Sequence, residues 1–412
     1  MKKNIYLVLF ALLLGIGAVS CDNESEDLFE QTAAERKTEV IKEYDEALKS
    51  AENGWLFQYF PEENQKYGGY NYVVKFNQND TAQVWIGLAP DADAQESLYD
   101  VISYGGPVLS FNTYNPFMHF FANPSSELYN ARGGDFEFAL KSNEGDMITL
   151  KGLKTQNDMR LIKMTETPQE YFTKTKAVMD FLNGASMGTT VNETPVTVIL
   201  AGRVLNFVYN NGEEIVTEKV AFIPTDKGIR LYKPIEILGV SAQEFTLDTE
   251  KKQFVDDNGA MTIDIAFAPV DLTLDTWLIA TDVEADRSAA FKEAYDAVYA
   301  ANAKTWGEEL EANIKFGNCY PKYGDIGISM TSSGYRAHYN LGFGGVVGHD
   351  NYLKILKIDG GFNWKWYGHL EPMVNFIADN APYKTEIDNA DDPAVVKLTS
   401  VNNPDVWFVL RR

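Results

Sequence analysis

The chain has 412 residues and a formal net charge of −23, from 36 lysine and arginine residues against 59 aspartate and glutamate residues. Such an acidic surface repels phosphate backbones, so the composition argues against a nucleic-acid partner. With 45% hydrophobic and 13% aromatic residues, the chain is too apolar for a disordered protein. Its length predicts two or three folded domains.

Residues 1–20 have the pattern of a secretory signal peptide. Two lysines precede an apolar run over residues 5–19, which is shorter than the roughly eighteen residues that a membrane-spanning helix needs. The end of this segment resembles the lipobox of bacterial lipoproteins, which implies cleavage before Cys21 and acylation of its thiol. The acidic residues that follow predict a solvated tether over residues 21–31.

Residues 32–184 are predicted to form a helix followed by a β-meander. Thr32 and Glu35 have the spacing of a capping box, and Thr167, Pro168 and Glu170 mark a second helix start. We expect short helical segments at residues 97–103 and 115–121. Short β-like runs between turn-rich segments predict strands at 55–60, 70–76, 81–86, 108–111, 135–140 and 147–151, and apolar residues alternate with others over 135–140.

The second half of the chain is predicted to be a separate β-rich unit. Residues 185–194 are small and polar and indicate a linker, so this unit spans residues 195–412, with a helix at about 286–303. The fold class is therefore α+β, with predominantly antiparallel barrel-like or sandwich-like units and packed amphipathic helices. Strand-like runs occur at residues 196–200, 204–209, 216–222, 229–232, 244–247 and 261–267.

Two segments of similar sequence suggest a degenerate internal duplication. Residues 116–123 align with residues 372–379, and each segment follows a Gly-Gly pair and precedes two closing strands. The alternative interpretation is that any two β-rich segments of this composition can be aligned by a choice of gaps.

A family resemblance is carried by residues 54–55, 68–76, 97–99, 105–111, 114–116, 133–136 and 148–152, with a thinner likeness at 228–232. In these segments the chain resembles a family of Bacteroidetes lipoproteins that carries a domain of unknown function, the domain of unknown function 4302 family. The resemblance implies a place beside import systems of the TonB-dependent porin and surface-lipoprotein kind, at the outer face of the outer membrane. It implies no catalytic residue.

The sequence contains no catalytic signature and predicts no cofactor. It has no P-loop, no His-Glu-x-x-His and no Gly-x-Ser-x-Gly motif, and residues 342–345 are interpreted as a glycine-rich loop. Cys319 is expected to be a buried, inert thiol. A metal site could be formed by His338, His349, Asp350 and His369. This is the less favoured interpretation, because the spacing of these residues fits no known motif.

An aromatic row near the carboxyl end is the sharpest candidate for ligand binding. In an extended strand Phe362, Trp364 and Trp366 would point to one side and could stack against sugar rings. The alternative is that this row is the core face of the strand.

The leading functional hypothesis is a non-enzymatic, lipid-anchored surface protein. It would bind a glycan or another small nutrient, or a component of an import system. The alternative is a surface hydrolase that uses dispersed carboxylates or the carboxyl-terminal histidines and aspartate, because two carboxylates at a suitable separation need not be close in sequence. A structural role in a surface assembly is the third hypothesis.

Overall fold

The computed structural model describes residues 32–126, 128–129 and 131–412. The predicted signal peptide over residues 1–20, the lipidation site Cys21 and the tether over residues 21–31 lie outside the described residues. In the described chain, up-and-down antiparallel strands form three units, which we call the first, second and third barrels.

The first barrel is a nine-stranded, nearly closed sheet. Its first strand pairs with the second and the last, so that Trp55 lies opposite both Val74 and Lys163. The open edges of the sheet are β4 and β5. The strands are β1 (Trp55–Tyr59), β2 (Tyr70–Phe76), β3 (Thr81–Ile86), β4 (Gln95–Leu98), β5 (Asp100–Ser103), β6 (Pro107–Ser110), β7 (Glu137–Asn143), β8 (Met147–Gly152) and β9 (Asp158–Lys163).

Helix α1 (Ala33–Lys49) packs against the first barrel. The predicted capping box is present, since Thr32 and Glu35 exchange side-chain-to-backbone hydrogen bonds. The end of the helix is joined to β1 because the buried indole of Trp55 donates a 2.7 Å hydrogen bond to the carbonyl of Leu48.

The second barrel is closed and has eight strands. Helix α2 (Pro168–Phe181) begins at the predicted capping box of Thr167 and connects the first two barrels. Its Phe172 packs on the outside of the first barrel, whereas Val178 enters the core of the second. The strands are β10 (Ser186–Val191), β11 (Thr194–Ala201), β12 (Val204–Asn210), β13 (Ile215–Pro224), β14 (Gly228–Ile237), β15 (Val240–Asp248), β16 (Gln253–Asp256) and β17 (Thr262–Ala266).

The third barrel is also closed, and β18 pairs with β25 through Leu278 and Arg411. Its core includes residues from α3 (Ala289–Trp306) and α5 (Glu371–Asp379), and a short helix α4 (Trp364–Tyr367) precedes α5. The strands are β18 (Thr276–Ala280), β19 (Asn313–Tyr320), β20 (Asp325–Ser332), β21 (Tyr335–Val346), β22 (His349–Gly360), β23 (Tyr383–Ile387), β24 (Val395–Ser400) and β25 (Trp407–Arg411).

Glycines allow the barrels to touch backbone to backbone. The amide of Gly69 donates to the carbonyl of Phe222 at 2.9 Å, and its carbonyl accepts a 2.7 Å hydrogen bond from Arg203. At the other junction, a Cβ added to Gly345 would lie 2.3 Å from the carbonyl oxygen of Phe267. Neither position has room for a side chain.

The predicted linker and the predicted second unit are corrected by these barrels. Residues 185–194 contain β10, which is part of a barrel wall and contacts β21 of the third barrel. Its small residues therefore reflect close packing and not flexibility. Residues 195–412 form most of the second barrel and the whole third barrel, with the boundary between β17 and β18.

Three local predictions were also wrong. The predicted helical segment at 97–103 spans the end of β4 and all of β5, and the one at 115–121 consists mainly of turns. The glycine-rich segment at 342–345 lies within β21. In each case the local composition was outweighed by pairing or packing with distant residues.

The prediction of α+β barrel units with packed helices is confirmed. The suggested duplication stays a prediction, although one feature agrees with it. Residues 116–122 lie between β6 and β7, and α5 lies between β22 and β23, so each segment precedes the last three strands of its barrel. The first segment is turn-rich, however, whereas the second is helical.

Candidate functional site

A cavity of about 270 Å³ opens on the third barrel. This volume is near the lower end of the range for small-ligand pockets. Three of its aromatic side chains are strongly exposed: Tyr335 at 61%, Trp366 at 56% and Trp306 at 47%. The lining residues are Trp306, Glu308, Tyr335, Asn363, Trp366 and Tyr367, and we call this cavity the aromatic pocket.

Two helix ends position the tryptophans of the aromatic pocket. Helix α3 ends at Trp306 because Gly307 adopts the left-handed conformation, with φ 69°. Helix α4 begins after Asn363, which is also left-handed. The indole nitrogen of Trp306 donates a 3.2 Å hydrogen bond to the carbonyl of Trp366 and so links the two ends.

A carboxylate lies among these rings and is held by two hydroxyl groups. Oε2 of Glu308 accepts hydrogen bonds from Tyr367 at 3.0 Å and from Ser332 at 2.6 Å. Because an ionised carboxylate has about four acceptor sites, Glu308 can accept further hydrogen bonds from a ligand. Among the described residues that line the pocket, it is the one acid.

A buried amide continues this network below the pocket. Asn302 is fully buried and donates to Ser332 at 2.8 Å and to the carbonyl of Glu308 at 3.0 Å. Its Oδ1 lies 2.9 Å from Nε2 of His369. The position of Glu308 is therefore fixed from the core side, and its free lone pairs are available to the cavity.

Burial changes the titration of the groups around Glu308. It raises the pKa of Tyr367, and the hydrogen bond to the Glu308 carboxylate raises it further. Burial lowers the pKa of His369, against an opposing effect of the Glu308 charge. At neutral pH the phenol of Tyr367 in the pocket and the imidazole of His369 below it are therefore uncharged.

The predicted aromatic row does not form a strand. Trp364 and Trp366 belong to helix α4, so they do not share a face with Phe362. Trp364 is buried and meets Tyr339 edge to face at 4.9 Å. Phe362 is half-exposed and covers the guanidinium of Arg336 at 4.3 Å. Of the three, only Trp366 lines the aromatic pocket.

The predicted metal ligands are not brought together. His338 is buried between Ser329 and Asn340, each 3.0 Å from a ring nitrogen. His349 stacks on Tyr352, and His369 contacts Asn302. The exposed carboxylate of Asp350 lies 3.8 Å from Lys252 of the second barrel. No group of three histidine, cysteine or acidic side chains that could hold a metal occurs in the described part of the chain.

Sequence reasoning missed most of the residues that line the pocket. Trp306 and Trp366 are sixty positions apart, and Tyr335 lies between them at the start of β21. The one local signal was a tryptophan directly before Gly307. A large apolar residue at a helix end is exposed more readily than one in mid-helix.

Comparisons with known proteins identify a family for the amino-terminal part of the chain. A family model described as "Domain of unknown function (DUF4302)" matches residues 25–249. No curated protein matches the chain. None of the described helices has the length and apolar character needed to cross a bilayer.

Solved structures show only weak likenesses. The DNA polymerase III beta chain from Streptococcus pneumoniae TIGR4 has 9% identity and a TM-score of 0.13, with 90% of this chain and 97% of that chain covered. The DNA polymerase sliding clamp from Caulobacter crescentus has 11% identity and a TM-score of 0.10, with coverages of 89% and 95%. TM-scores this low support no inference about this chain.

Proposed function

Since the chain belongs to the DUF4302 family, whose description names no activity, we propose its function from the aromatic pocket. The proposal is a lipid-anchored cell-surface protein that binds a glycan or a similarly flat nutrient and serves an outer-membrane import system. The family match ends at residue 249, so the pocket lies outside the matched part.

The observation that carries this proposal is the exposure of Trp306 and Trp366 in one pocket with a fixed carboxylate, that of Glu308. Stacking on an aromatic ring favours the apolar face of a sugar, and a carboxylate accepts hydrogen bonds from its hydroxyl groups. The volume of about 270 Å³ suits one ring or a chain end better than a long oligosaccharide.

The test is calorimetric titration of the purified protein with a panel of neutral monosaccharides and disaccharides. We expect one or more to bind, and both Trp366→Ala and Trp306→Ala to weaken that binding roughly tenfold or more. Tyr104→Ala is the matched control, because Tyr104 is a 74% exposed aromatic residue of the first barrel. Absence of binding across the panel, or equal loss in the control, would refute the proposal.

The anchor is tested separately at Cys21. Replacing Cys21 by Ser removes the thiol that would be acylated, so it should abolish lipid attachment. The protein should then leave the membrane fraction, because stable anchoring depends on several acyl chains. Mass spectrometry of the processed amino terminus gives the direct measurement. An unmodified thiol at Cys21 in the natural host would remove the anchor from the proposal without affecting the pocket.

The alternative function, a surface hydrolase, is tested on Glu308. The hydrolase is favoured if the protein releases product from a glycan of the panel and if Glu308→Gln abolishes this release but still binds the glycan. Binding without any product release would favour the binding protein.

A further inference from the structure

A cleft between the first and second barrels contains two neighbouring cavities. Their volumes are about 510 and 340 Å³, and Tyr232 lines both of them. The ring of Tyr232 is held in place, because it packs edge to face on Phe60 at 4.8 Å and its hydroxyl accepts a 3.0 Å hydrogen bond from the amide of Asp158. We call these two cavities together the basic cleft.

The charge of the basic cleft is opposite to that of the chain. The chain has 59 acidic against 36 basic residues. Six cationic and two acidic side chains, Glu63 and Asp158, line the cleft, and the carboxylate of Glu244 lies at its edge. The cationic residues are Lys66, Lys219 and Lys233 in the larger cavity and Lys141, Arg160 and Arg230 in the smaller one.

Two arginines, one from each barrel, converge at the edge of the smaller cavity. Arg160 Nη2 and Arg230 Nε lie 3.5 and 3.0 Å from the same oxygen, Oε1 of Glu244. Arg160 also donates through Nε to Gln58 at 2.6 Å. One carboxylate thus faces two guanidinium groups, and its side chain is 45% exposed.

Several guanidinium donors are left for a ligand. Within the described residues, neither Nη atom of Arg230 donates a hydrogen bond to protein, and the same holds for Nη1 of Arg160. Burial lowers the pKa of Arg160, and the neighbouring charge of Arg230 lowers it further. A second anion beside the pair would relieve this repulsion.

We propose that the basic cleft binds the oxyanion of a small acidic ligand, such as a sulfate ester, a phosphate ester or the carboxylate of an acidic sugar. Arg160 and Arg230 hold the oxyanion through paired N–H donors, and Lys141 adds charge. Tyr232, whose ring is held by Phe60, contacts the remainder of the ligand. This site is separate from the aromatic pocket and does not depend on its function.

The test is calorimetric titration at constant ionic strength with glucose 6-sulfate, glucose 6-phosphate, glucuronate and glucose. At least one charged probe should bind with an affinity that Arg230→Gln weakens, whereas glucose should show no binding that depends on Arg230. The relative affinities of the charged probes distinguish the three oxyanions. Failure of all charged probes at millimolar concentration would overturn the proposal.

Three variants separate a specific site from general electrostatics. Arg230→Gln and the more exposed Lys141→Gln should weaken binding roughly tenfold and several-fold, respectively. The matched control is Lys304→Gln, which removes the same charge from the exposed end of α3 and should leave binding unchanged. Equal weakening in this control would overturn the proposal.

Glu244→Gln gives a result that a purely structural role would not produce. It removes the carboxylate that competes for both guanidinium groups, so oxyanion binding should tighten even though an inter-barrel ion pair is lost. Binding that weakens in Glu244→Gln would contradict the proposed displacement. Trp366→Ala should not affect the binding that depends on Arg230, so failure of the aromatic pocket is distinguishable from failure of the cleft.

Discussion

The guanidinium of Arg411 donates two 2.7 Å hydrogen bonds to the carboxylate of Asp286, one to each oxygen. Asp286 is buried and lies just before α3, whereas Arg411 ends β25. The pair therefore fixes the last strand of the third barrel to the segment that leads into α3. A bidentate pair has both the geometry and the charge for a strong hydrogen bond.

Asp286→Asn should destabilise the third barrel by about 1–3 kcal/mol, because it removes a hydrogen-bonded charge partner from a buried position. Asp296→Asn removes an exposed carboxylate that pairs with Lys292 on α3 and should cost about 0.5 kcal/mol or less. Denaturant unfolding of both variants measures the difference. Equal effects would show that the Asp286 pair does not stabilise the barrel.

The same pair predicts a dependence of stability on pH. The Arg411 guanidinium lowers the pKa of the Asp286 carboxyl, so the unfolded chain takes up the proton first as the pH falls. The stabilisation is thus complete well above the unfolded pKa of about 3.9 and is lost as the pH falls through the lower pKa of the folded state. In Asp286→Asn the free energy of unfolding should therefore fall less steeply as the pH is lowered through this range, as measured by unfolding at several pH values.

Truncation of Trp364 should lower the free energy of unfolding much more than truncation of Trp366. Trp364→Ala leaves a cavity beside Tyr339 and should cost about 3 kcal/mol or more. Trp366→Ala removes a 56% exposed ring and should cost less than about 1 kcal/mol, while the carbonyl that accepts from Trp306 is retained. Calorimetric unfolding checks both values, and a large loss in Trp366→Ala would show that its ring is structural.

Cys319 should resist alkylation in the folded protein. Its thiol is buried, and burial raises its pKa to about 12, so little thiolate exists at neutral pH. We expect iodoacetamide to modify Cys319 only after unfolding, as measured on its peptide by mass spectrometry. Rapid labelling of the native protein would contradict this.

Gly345→Ala should weaken the junction of the second and third barrels. The added methyl group would meet the backbone of Phe267 at 2.3–2.7 Å, so one strand must move, at a cost of about 1–3 kcal/mol. Gly342→Ala is a matched control in the same strand, because its Cβ would find neighbours at 3.8 Å. Thermal unfolding of the two variants should differ accordingly.

Local patterns were sufficient where neighbouring residues determine the structure. The bounds predicted for residues 70–76 and 81–86 agree with β2 and β3, because the polar segment 77–80 separates the two runs and buried residues alternate along β3. The capping boxes at Thr32 and Thr167 are likewise confirmed. The buried state of Cys319 is also confirmed.

Contacts between residues far apart in the chain could not be predicted from local patterns. The aromatic pocket joins a helix end at Trp306 to another at Trp366, and no spacing rule connects them. Position 345 requires glycine because the backbone of Phe267, from another barrel, occupies the space that a side chain would need. The linker prediction failed likewise, since the small residues of β10 face β21 of the third barrel. Composition alone does not separate tight packing from flexibility.

The pairing of first and last strands has a consequence for biosynthesis. The sheet of the first barrel can be completed once residue 163 has emerged from the ribosome, and the second barrel can close once residue 266 has. The third must wait for residue 411, which pairs with Leu278. The third barrel therefore stays incomplete longest during synthesis, and its unpaired strand edges and apolar surface are exposed to aggregation until then.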